Sequence, residues 1–265
     1  MQLGISTASL FGRLNTEQAL QYLSENKVQT AEVFLSSFCE YKEGFGKELC
    51  ARKGYIEVHS VHTLTTQFEP TLYSVNPRAK ADSFEILHDA MRVAKMLGAK
   101  YYTFHGGARF KKTPIKIDYE RVGKITQEIM DVSKSYGVTL AYENVHWGYY
   151  NYIGFFRELK KRVPELKATF DIKQARQNDI PYSEFIDEMG SDIVTFHISD
   201  YLENGKMCLP GKGVTDFKDV FSRLNDKGFD GGIILECYQG DYVEKEELFE
   251  SLFFIQNLTN QIFGK

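Results

Sequence analysis

Four side chains that can bind metal lie at or near the ends of four consecutive apolar runs. Glu143 ends TLAYE, Asp171 ends KATFD, His197 ends IVTFH and Glu236 ends GIILE. A carboxylate in an apolar run is costly to bury without a partner, so it is a surface residue, an ion-pair partner or a ligand. A single such residue is commonly a satisfied rim or core residue. Four of them in consecutive runs predict a shared site.

Three carboxylates and one imidazole form an oxygen-rich ligand set. Such a set favours Mn²⁺, Mg²⁺ or Co²⁺ over a structural Zn²⁺ site, and Zn²⁺ stays open as an alternative. The predicted cofactor is therefore one divalent ion, with Mn²⁺ as the first choice. Open coordination positions would remain for water or for a carbonyl and the adjacent hydroxyl of a substrate.

The chemistry expected of this set is proton transfer next to a carbonyl. A bound metal acidifies the C–H group between carbonyl and hydroxyl and stabilises the resulting enediolate. If Glu143 and Glu236 flank the substrate, one removes the proton and the other returns it on the opposite face. The outcome is inversion of that carbon or movement of the carbonyl by one carbon.

The elements that must position these residues are alternating strands and helices. Strand–helix alternation through the whole chain predicts parallel strands with helices outside. Eight such units in 265 residues favour a single α/β domain over residues 1–265, a closed (β/α)8 TIM barrel with its site at the carboxyl ends of the strands. The predicted strands are residues 2–7, 31–35, 56–62, 101–107, 139–145, 167–172, 193–199 and 232–237.

Helical spacing of apolar residues fills the intervals between these runs. Asn15 and Gln18 have the spacing of a helix-capping pair before the first of them. Gly44 and Gly46 make the stretch 40–53 the least regular, so part of it is expected to be loop. The predicted helices are residues 16–25, 78–97, 118–136, 152–162, 182–189, 216–228 and 244–260.

Composition limits the partners. The net charge is −4, which argues against a nucleic-acid backbone as the main partner because phosphate binding needs a basic face. The opening MQLGIST has no signal-peptide pattern, and no apolar run is long enough to span a membrane. The four cysteines lack metal-binding spacing and are expected to be reduced thiols. A cytoplasmic protein that binds a small molecule is therefore expected.

From LGIST to LEC, the chain resembles the sugar-phosphate isomerase/epimerase family, the xylose isomerase-like TIM barrels. The family includes ketose 3-epimerases, hydroxypyruvate isomerase and inosose dehydratase, and endonuclease IV is a distant member. The resemblance implies that Glu143, Asp171, His197 and Glu236 bind the metal and that the two glutamates are the acid/base pair. It implies a sugar or sugar-derived substrate and leaves a homo-oligomer open.

The same resemblance suggests which residues contact the substrate. His62 and His105, the latter in FHGG, match histidines of the family's third and fourth strands. Gln174 in DIKQA departs from the family, where many members have a histidine that contacts substrate or a second metal. Lys212 in LPGKG departs from a frequent Gly-Glu-Gly and could bind a carboxylate or phosphate. Trp147 could stack on a sugar ring or close the core.

Minor signals complete the predicted site. Arg109, Lys111 and Lys112 follow the fourth strand and would form an anion site or a solvated face. His59 should point away from the site, because side chains alternate along a strand. Asp200 should support the metal site from behind.

Three other function classes stay open. A metal-dependent dehydratase of an inosose or keto acid would share the proton abstraction and then expel a hydroxyl. A sugar-binding barrel without turnover would need the same pocket. An endonuclease IV-like phosphodiesterase would need an Asp-x-His pair that the sequence lacks. One scaffold hosts all of these classes, so the substrate, the reacting carbon and the native metal stay undetermined by sequence.

Overall fold

Eight parallel strands close into a barrel in the computed structural model, which describes residues 1–64, 67–109 and 116–264. A short antiparallel hairpin, β8 and β9, precedes the last barrel strand. The strands are β1 (Gln2–Ser6), β2 (Thr30–Leu35), β3 (Glu57–Thr63), β4 (Tyr101–Phe104), β5 (Thr139–Glu143), β6 (Lys167–Asp171), β7 (Ile193–Ile198), β8 (Asp200–Tyr201), β9 (Met207–Cys208) and β10 (Gly232–Leu235). The closed ring confirms the predicted (β/α)8 barrel.

The ring closes between the first and the last barrel strand. Parallel pairing of β1 with β10 runs from Gln2 opposite Gly232 to Ile5 opposite Leu235, and β10 also pairs with β7. One neighbour of β10 is therefore the preceding barrel strand, and the other is the first strand of the chain. This pairing brings the last predicted ligand, Glu236, beside the first strands of the barrel.

The helices follow the barrel strands in sequence, mostly where apolar spacing predicted them. They are α1 (Thr16–Glu25), α2 (Glu43–Arg52), α3 (Glu69–Leu72), α4 (Pro77–Leu97), α5 (Tyr119–Ser135), α6 (Phe155–Lys160), α7 (Ile172–Gln177), α8 (Tyr182–Met189), α9 (Phe217–Asp226) and α10 (Glu247–Phe263). The Asn15 backbone N–H donates to Gln18 Oε1, as the capping spacing predicted. Within the described ranges, no helix combines the length and hydropathy that a membrane span requires.

The stretch around α2 corrects one expectation. Gly44 and Gly46 lie inside a regular helix rather than a loop. A Cβ atom at Gly46 would lie 3.0 Å from the sulfur of Met96 on α4. The glycine therefore allows α2 and α4 to pack closely, which outweighs its low helix propensity.

The prediction for His59 was wrong, because a bulge breaks the side-chain alternation of β3. The pairing of β2 with β3 shifts between Ala31 and Glu32, so the residues after it change faces. His59 points into the barrel, where its Nε2 lies 3.0 Å from Thr195 Oγ1 and its Nδ1 lies 3.0 Å from Gln2 Oε1. Burial lowers the pKa of His59 to about 4, so the ring is neutral at physiological pH.

Candidate metal centre and active site

The four strand-end residues meet at one end of the barrel. His197 Nδ1 lies 3.2 Å from Glu143 Oε1 and 3.1 Å from Glu236 Oε2. Glu143, Asp171 and His197 each offer a ligand atom, and these atoms lie within 4.8 Å of one another. All four side chains are buried, with at most 6% of their surface exposed. The structure thus brings together the residues that the sequence marked as metal ligands.

The end of β6 shows how the chain positions Asp171. The carboxylate caps α7, because its Oδ1 accepts from the backbone N–H of Gln174 at 3.0 Å. Asn144 at the end of β5 bonds both the backbone N–H and the carbonyl of Asp171, at 2.8 and 2.9 Å. These bonds join two neighbouring strand ends and leave the second carboxylate oxygen of Asp171 to face the site.

Glu32 on β2 is a site residue that the sequence analysis missed. Its carboxylate is fully buried and accepts from the Ser60 and Thr103 hydroxyls at 2.7 and 2.8 Å. It also faces His62 Nδ1 at 3.2 Å and His197 Nε2 at 3.1 Å. Burial opposes its ionisation, but the two histidines outweigh burial and hold the pKa of Glu32 well below its usual range.

The contact with Glu32 fixes the orientation of the His197 ring. A carboxylate only accepts hydrogen bonds, so Nε2 carries a proton and donates it to Glu32. The other nitrogen, Nδ1, then faces Glu143 and Glu236. Metal-binding histidines commonly have this arrangement, with one nitrogen on the ion and the other on a carboxylate.

A second buried carboxylate, Glu69 on α3, holds His105. Glu69 Oε2 accepts from both the backbone N–H and Nδ1 of His105, at 3.1 and 3.0 Å. The other ring nitrogen, Nε2, lies 3.2 Å from Glu143 Oε2. Burial disfavours the charged ring, but the carboxylates of Glu69 and Glu143 outweigh it and raise the pKa of His105 to about 9.

The charges around Glu143 keep it ionised. Burial alone would raise its pKa, but the hydrogen bond from His197 and the charge of His105 lower the pKa of Glu143 to about 2. Asp171 has the opposite balance. Burial and the nearby charge of Glu143 raise the pKa of Asp171 to about 7, although Lys173 opposes this.

A pocket of about 300 Å³ opens directly onto this centre. Glu143 and Glu236 line it, and Trp147, also in the lining, packs beside His105 with ring centroids 5.7 Å apart. A space of this size suits a small molecule. The remaining lining is largely apolar or aromatic: Ala8, Phe11, Phe34, His62, Thr63, Leu64, Gln174 and Tyr238.

The family model described as "Xylose isomerase-like TIM barrel" matches residues 21–257 of the chain. The chain belongs to that family. A comparison with curated proteins found no match.

Solved structures share the fold of this xylose isomerase-like TIM barrel over its whole length. A D-tagatose 3-epimerase-like protein aligns with a TM-score of 0.79 at 19% identity, covering 100% of this chain and 99% of that chain. The IOLI protein with a binding zinc atom aligns with a TM-score of 0.78 at 16% identity, covering 100% of both. D-Psicose 3-epimerase with D-tagatose from Clostridium cellulolyticum H10 aligns with a TM-score of 0.78 at 16% identity, covering 99% of both.

Gln174 links helix α7 of this xylose isomerase-like TIM barrel to the loop after β5. Its Oε1 accepts from the backbone N–H of His146 at 3.1 Å and from His146 Nδ1 at 2.7 Å. Gln174 also lines the pocket. It therefore braces the loop after β5 while its side chain lies near the space for a substrate.

Lys173, one residue earlier, is a further site residue that the sequence analysis missed. Its side chain is 1% exposed, and its Nζ lies 3.8 Å from Asp171 Oδ2 and 3.7 Å from Glu236 Oε1. The Nζ lies 4.1 Å from the centre of the Tyr238 ring. Burial disfavours the ammonium, but Asp171 and Glu236 outweigh it and raise the pKa of Lys173 well above its usual value.

Two predicted residues lie elsewhere. The Lys212 ammonium forms an ion pair with Glu247 on α10 and does not line the pocket. Asp200 accepts from the backbone N–H groups of Tyr201, Gly211, Gly213 and Thr215 at 2.8 to 3.2 Å. It therefore organises the loop after β7 instead of supporting His197.

The remaining predictions concern a basic loop and the cysteines. Lys111 and Lys112 lie outside the described residues, and the Arg109 backbone N–H donates to the Trp147 carbonyl at 2.8 Å. All four cysteines are free thiols, as predicted, and Cys237 is fully buried.

Proposed function

We propose that the chain is a divalent-metal-dependent isomerase or epimerase of a small sugar or sugar derivative. The observation that carries this proposal is the contact of His197 Nδ1 with both Glu143 and Glu236, two residues that line the pocket. The metal ligands in this proposal are Glu143, Asp171, His197 and Glu236.

The chemistry of the donor set fits a divalent ion. Three carboxylates concentrate negative charge around one imidazole, whose Nδ1 is directed at two of them, Glu143 and Glu236. Glu236 Oε2 is buried and makes no hydrogen bond, although His197 Nδ1 lies 3.1 Å away, so a bound cation would satisfy this oxygen. The oxygen-rich set supports Mn²⁺ as the first ion to test, and the zinc atom of the IOLI structure makes Zn²⁺ the second.

A bound divalent ion would polarise a substrate carbonyl and stabilise negative charge that develops on its oxygen. Glu143 is ionised, so it can accept the proton from the carbon beside the carbonyl. Glu236 faces the same pocket and can deliver a proton from the other side. His62 and His105 line the pocket as donors to substrate oxygens, and the buried site excludes water from the carbanion-like intermediate.

The proposal also covers the size of the substrate, the cellular compartment and the assembly of the chain. The pocket size and the Trp147 ring support a monosaccharide-sized substrate. Four free cysteines support a reducing compartment such as the cytoplasm. A single domain over residues 1–265 and a homo-oligomer stay predictions from the sequence.

The test follows hydrogen exchange during turnover. The protein is loaded with Mn²⁺ and incubated with a panel of ketoses and inososes in D₂O, and products are followed by proton NMR. We expect deuterium at the carbon beside the carbonyl and no loss of water. Glu143→Gln and Glu236→Gln should each lower kcat by about 10²- to 10⁴-fold. Glu85→Gln, at an exposed position on α4, is the control and should leave kcat unchanged.

The same measurements separate the other function classes. Product formed with loss of water would indicate a dehydratase instead of an isomerase or epimerase. Sugar binding without exchange would indicate a sensor. Two or three ions per chain together with nicking of abasic DNA would indicate a phosphodiesterase.

A further inference from the structure

The ammonium of Lys173 is buried at the metal centre without a hydrogen bond. The carboxylate oxygens that face it, Asp171 Oδ2 at 3.8 Å and Glu236 Oε1 at 3.7 Å, lie beyond the distance of a normal N–H···O bond. The Tyr238 ring, which lines the pocket, lies 4.1 Å from the Nζ. Lys173 therefore sits behind the pocket wall, with its charge directed at two carboxylates.

An ammonium at this position is unfavourable unless nearby negative groups stabilise its charge. A buried charge without hydrogen bonds is costly, and the first turn of a helix disfavours a cation. Lys173 lies in the first turn of α7, two residues after the cap residue Asp171. The compensation available to Lys173 is electrostatic, from Asp171 and Glu236 together with the face of the Tyr238 ring.

We propose that Lys173 is the resident counter-cation of the metal centre and competes with the metal ion for Asp171 and Glu236. Without metal, the ammonium balances part of the negative charge of the three ligand carboxylates. With metal, the ammonium and the ion repel each other, so Lys173 lowers the affinity of the site. This inference rests on the proposed metal ligands.

The charge balance gives Lys173 a chemical role as well. Three carboxylates around a divalent ion leave a net charge of about −1, which weakens the ion as a Lewis acid. The ammonium brings the sum close to zero and draws electron density away from two of the ligands. Lys173 is therefore a positioning residue. It lowers the affinity of the site for the metal ion and strengthens the polarisation of the substrate carbonyl.

The test is metal affinity, which needs no substrate. Wild type, Lys173→Met and Lys173→Arg are stripped with EDTA, dialysed and titrated with MnCl₂ by calorimetry. Lys173→Met keeps the length of the side chain and removes the charge, so its dissociation constant should fall by roughly tenfold or more. Lys173→Arg keeps the charge and should stay near wild type. Lys167→Met removes a lysine at the other end of β6 and should leave the affinity unchanged.

If Lys173 has only a structural role, the Mn²⁺ affinities of the variants should follow a different pattern. Lys173→Met would then bind Mn²⁺ as wild type does or more weakly, and either result would overturn the inference. If Lys173→Met folds only with metal, the ion has replaced the missing charge, which supports the inference. If Lys173→Met and Lys173→Gln both fail to fold at saturating Mn²⁺, the inference is wrong. A wild type that binds no metal would instead refute the proposed function itself.

Discussion

Replacement of Glu32 by glutamine should weaken metal binding although Glu32 is not a proposed ligand. Glu32 Oε2 receives the Nε2 proton of His197 and thereby directs Nδ1 toward Glu143 and Glu236. Removing a carboxylate behind a metal-binding histidine typically lowers metal affinity about 10- to 100-fold. We expect the Mn²⁺ dissociation constant of Glu32→Gln to rise by that factor.

The cost in stability follows from the contacts of the two carboxylate oxygens. Oε1 accepts from Ser6 and His62, and Oε2 accepts from Ser60, Thr103 and His197. A glutamine amide must turn its NH₂ toward one of these sets, so at least two donors lose their acceptor. Each lost hydrogen bond to a buried charged group costs about 1.5–3 kcal/mol. Because the hydroxyls can rotate, we expect the free energy of unfolding to fall by about 3 kcal/mol in total.

Glu69→Gln is the matched control for Glu32→Gln. Glu69 is equally buried and also accepts from a histidine, but that histidine, His105, is not a proposed ligand. Urea unfolding should show a comparable loss of stability in both variants, whereas calorimetric titration with MnCl₂ should show a loss of affinity in Glu32→Gln alone. Equal affinities in Glu32→Gln and wild type would refute the role assigned to Glu32.

Three further predictions concern stability and the loops. The pKa of His59 is lowered to about 4 in the folded state, below its unfolded value of 6.5, so its contribution is complete above pH 6.5 and is lost progressively as pH falls from 6.5 to about 4. Between pH 8 and pH 5 this loss is about 2 kcal/mol in urea unfolding, and His59→Gln should remove it. Asp200→Ala leaves four backbone N–H groups without their acceptor and should speed proteolysis of residues 200–215. Gly106→Ala should lower the free energy of unfolding by about 2 kcal/mol or more, because φ is +78° and the new Cβ would lie 1.7 Å from the Tyr142 hydroxyl oxygen.

Each of these predictions has a result that contradicts it. The same pH slope in His59→Gln and wild type would assign the acid sensitivity to other groups, and His88→Gln serves as the control histidine. An unchanged cleavage rate in Asp200→Ala would mean that the loop does not depend on this carboxylate. For Gly106→Ala, Tyr142→Phe should restore part of the stability, and no restoration would contradict the contact with the hydroxyl.

The sequence predicted the fold and the placement of four site residues for the same reason. Glu143, Asp171, His197 and Glu236 each interrupt an apolar strand at its carboxyl end, and a closed parallel barrel brings all such ends to one rim. Neither the predicted fold nor the predicted placement of these four residues depends on the register between strands. Helix bounds such as Thr16–Glu25 also depended only on local spacing and capping.

The contacts of the missed residues depend on tertiary structure, which local sequence patterns do not show. Glu32 interrupts an apolar strand as Glu143 does, and the same reasoning applied to AEVFL would have singled it out. Its contacts, however, depend on the β2–β3 bulge, which also turned His59 inward. Lys173 can be recognised as a site residue only when the direction of α7 is known, because that direction points its side chain back toward Asp171. Lys212 lies in a loop that Asp200 organises, and its ammonium pairs with a residue distant in sequence, Glu247.

The insertion of β10 between β1 and β7 has a consequence for synthesis of the protein on the ribosome. The first seven barrel strands leave the ribosome before β10, and the ring stays open until β10 pairs with both neighbours. Pairing between the two ends of a chain is slow, because a long loop must close first. Glu236 follows β10 directly, so a nascent chain lacks this carboxylate near His197 and Lys173. The proposed four-residue metal set is therefore complete only after translation has passed β10.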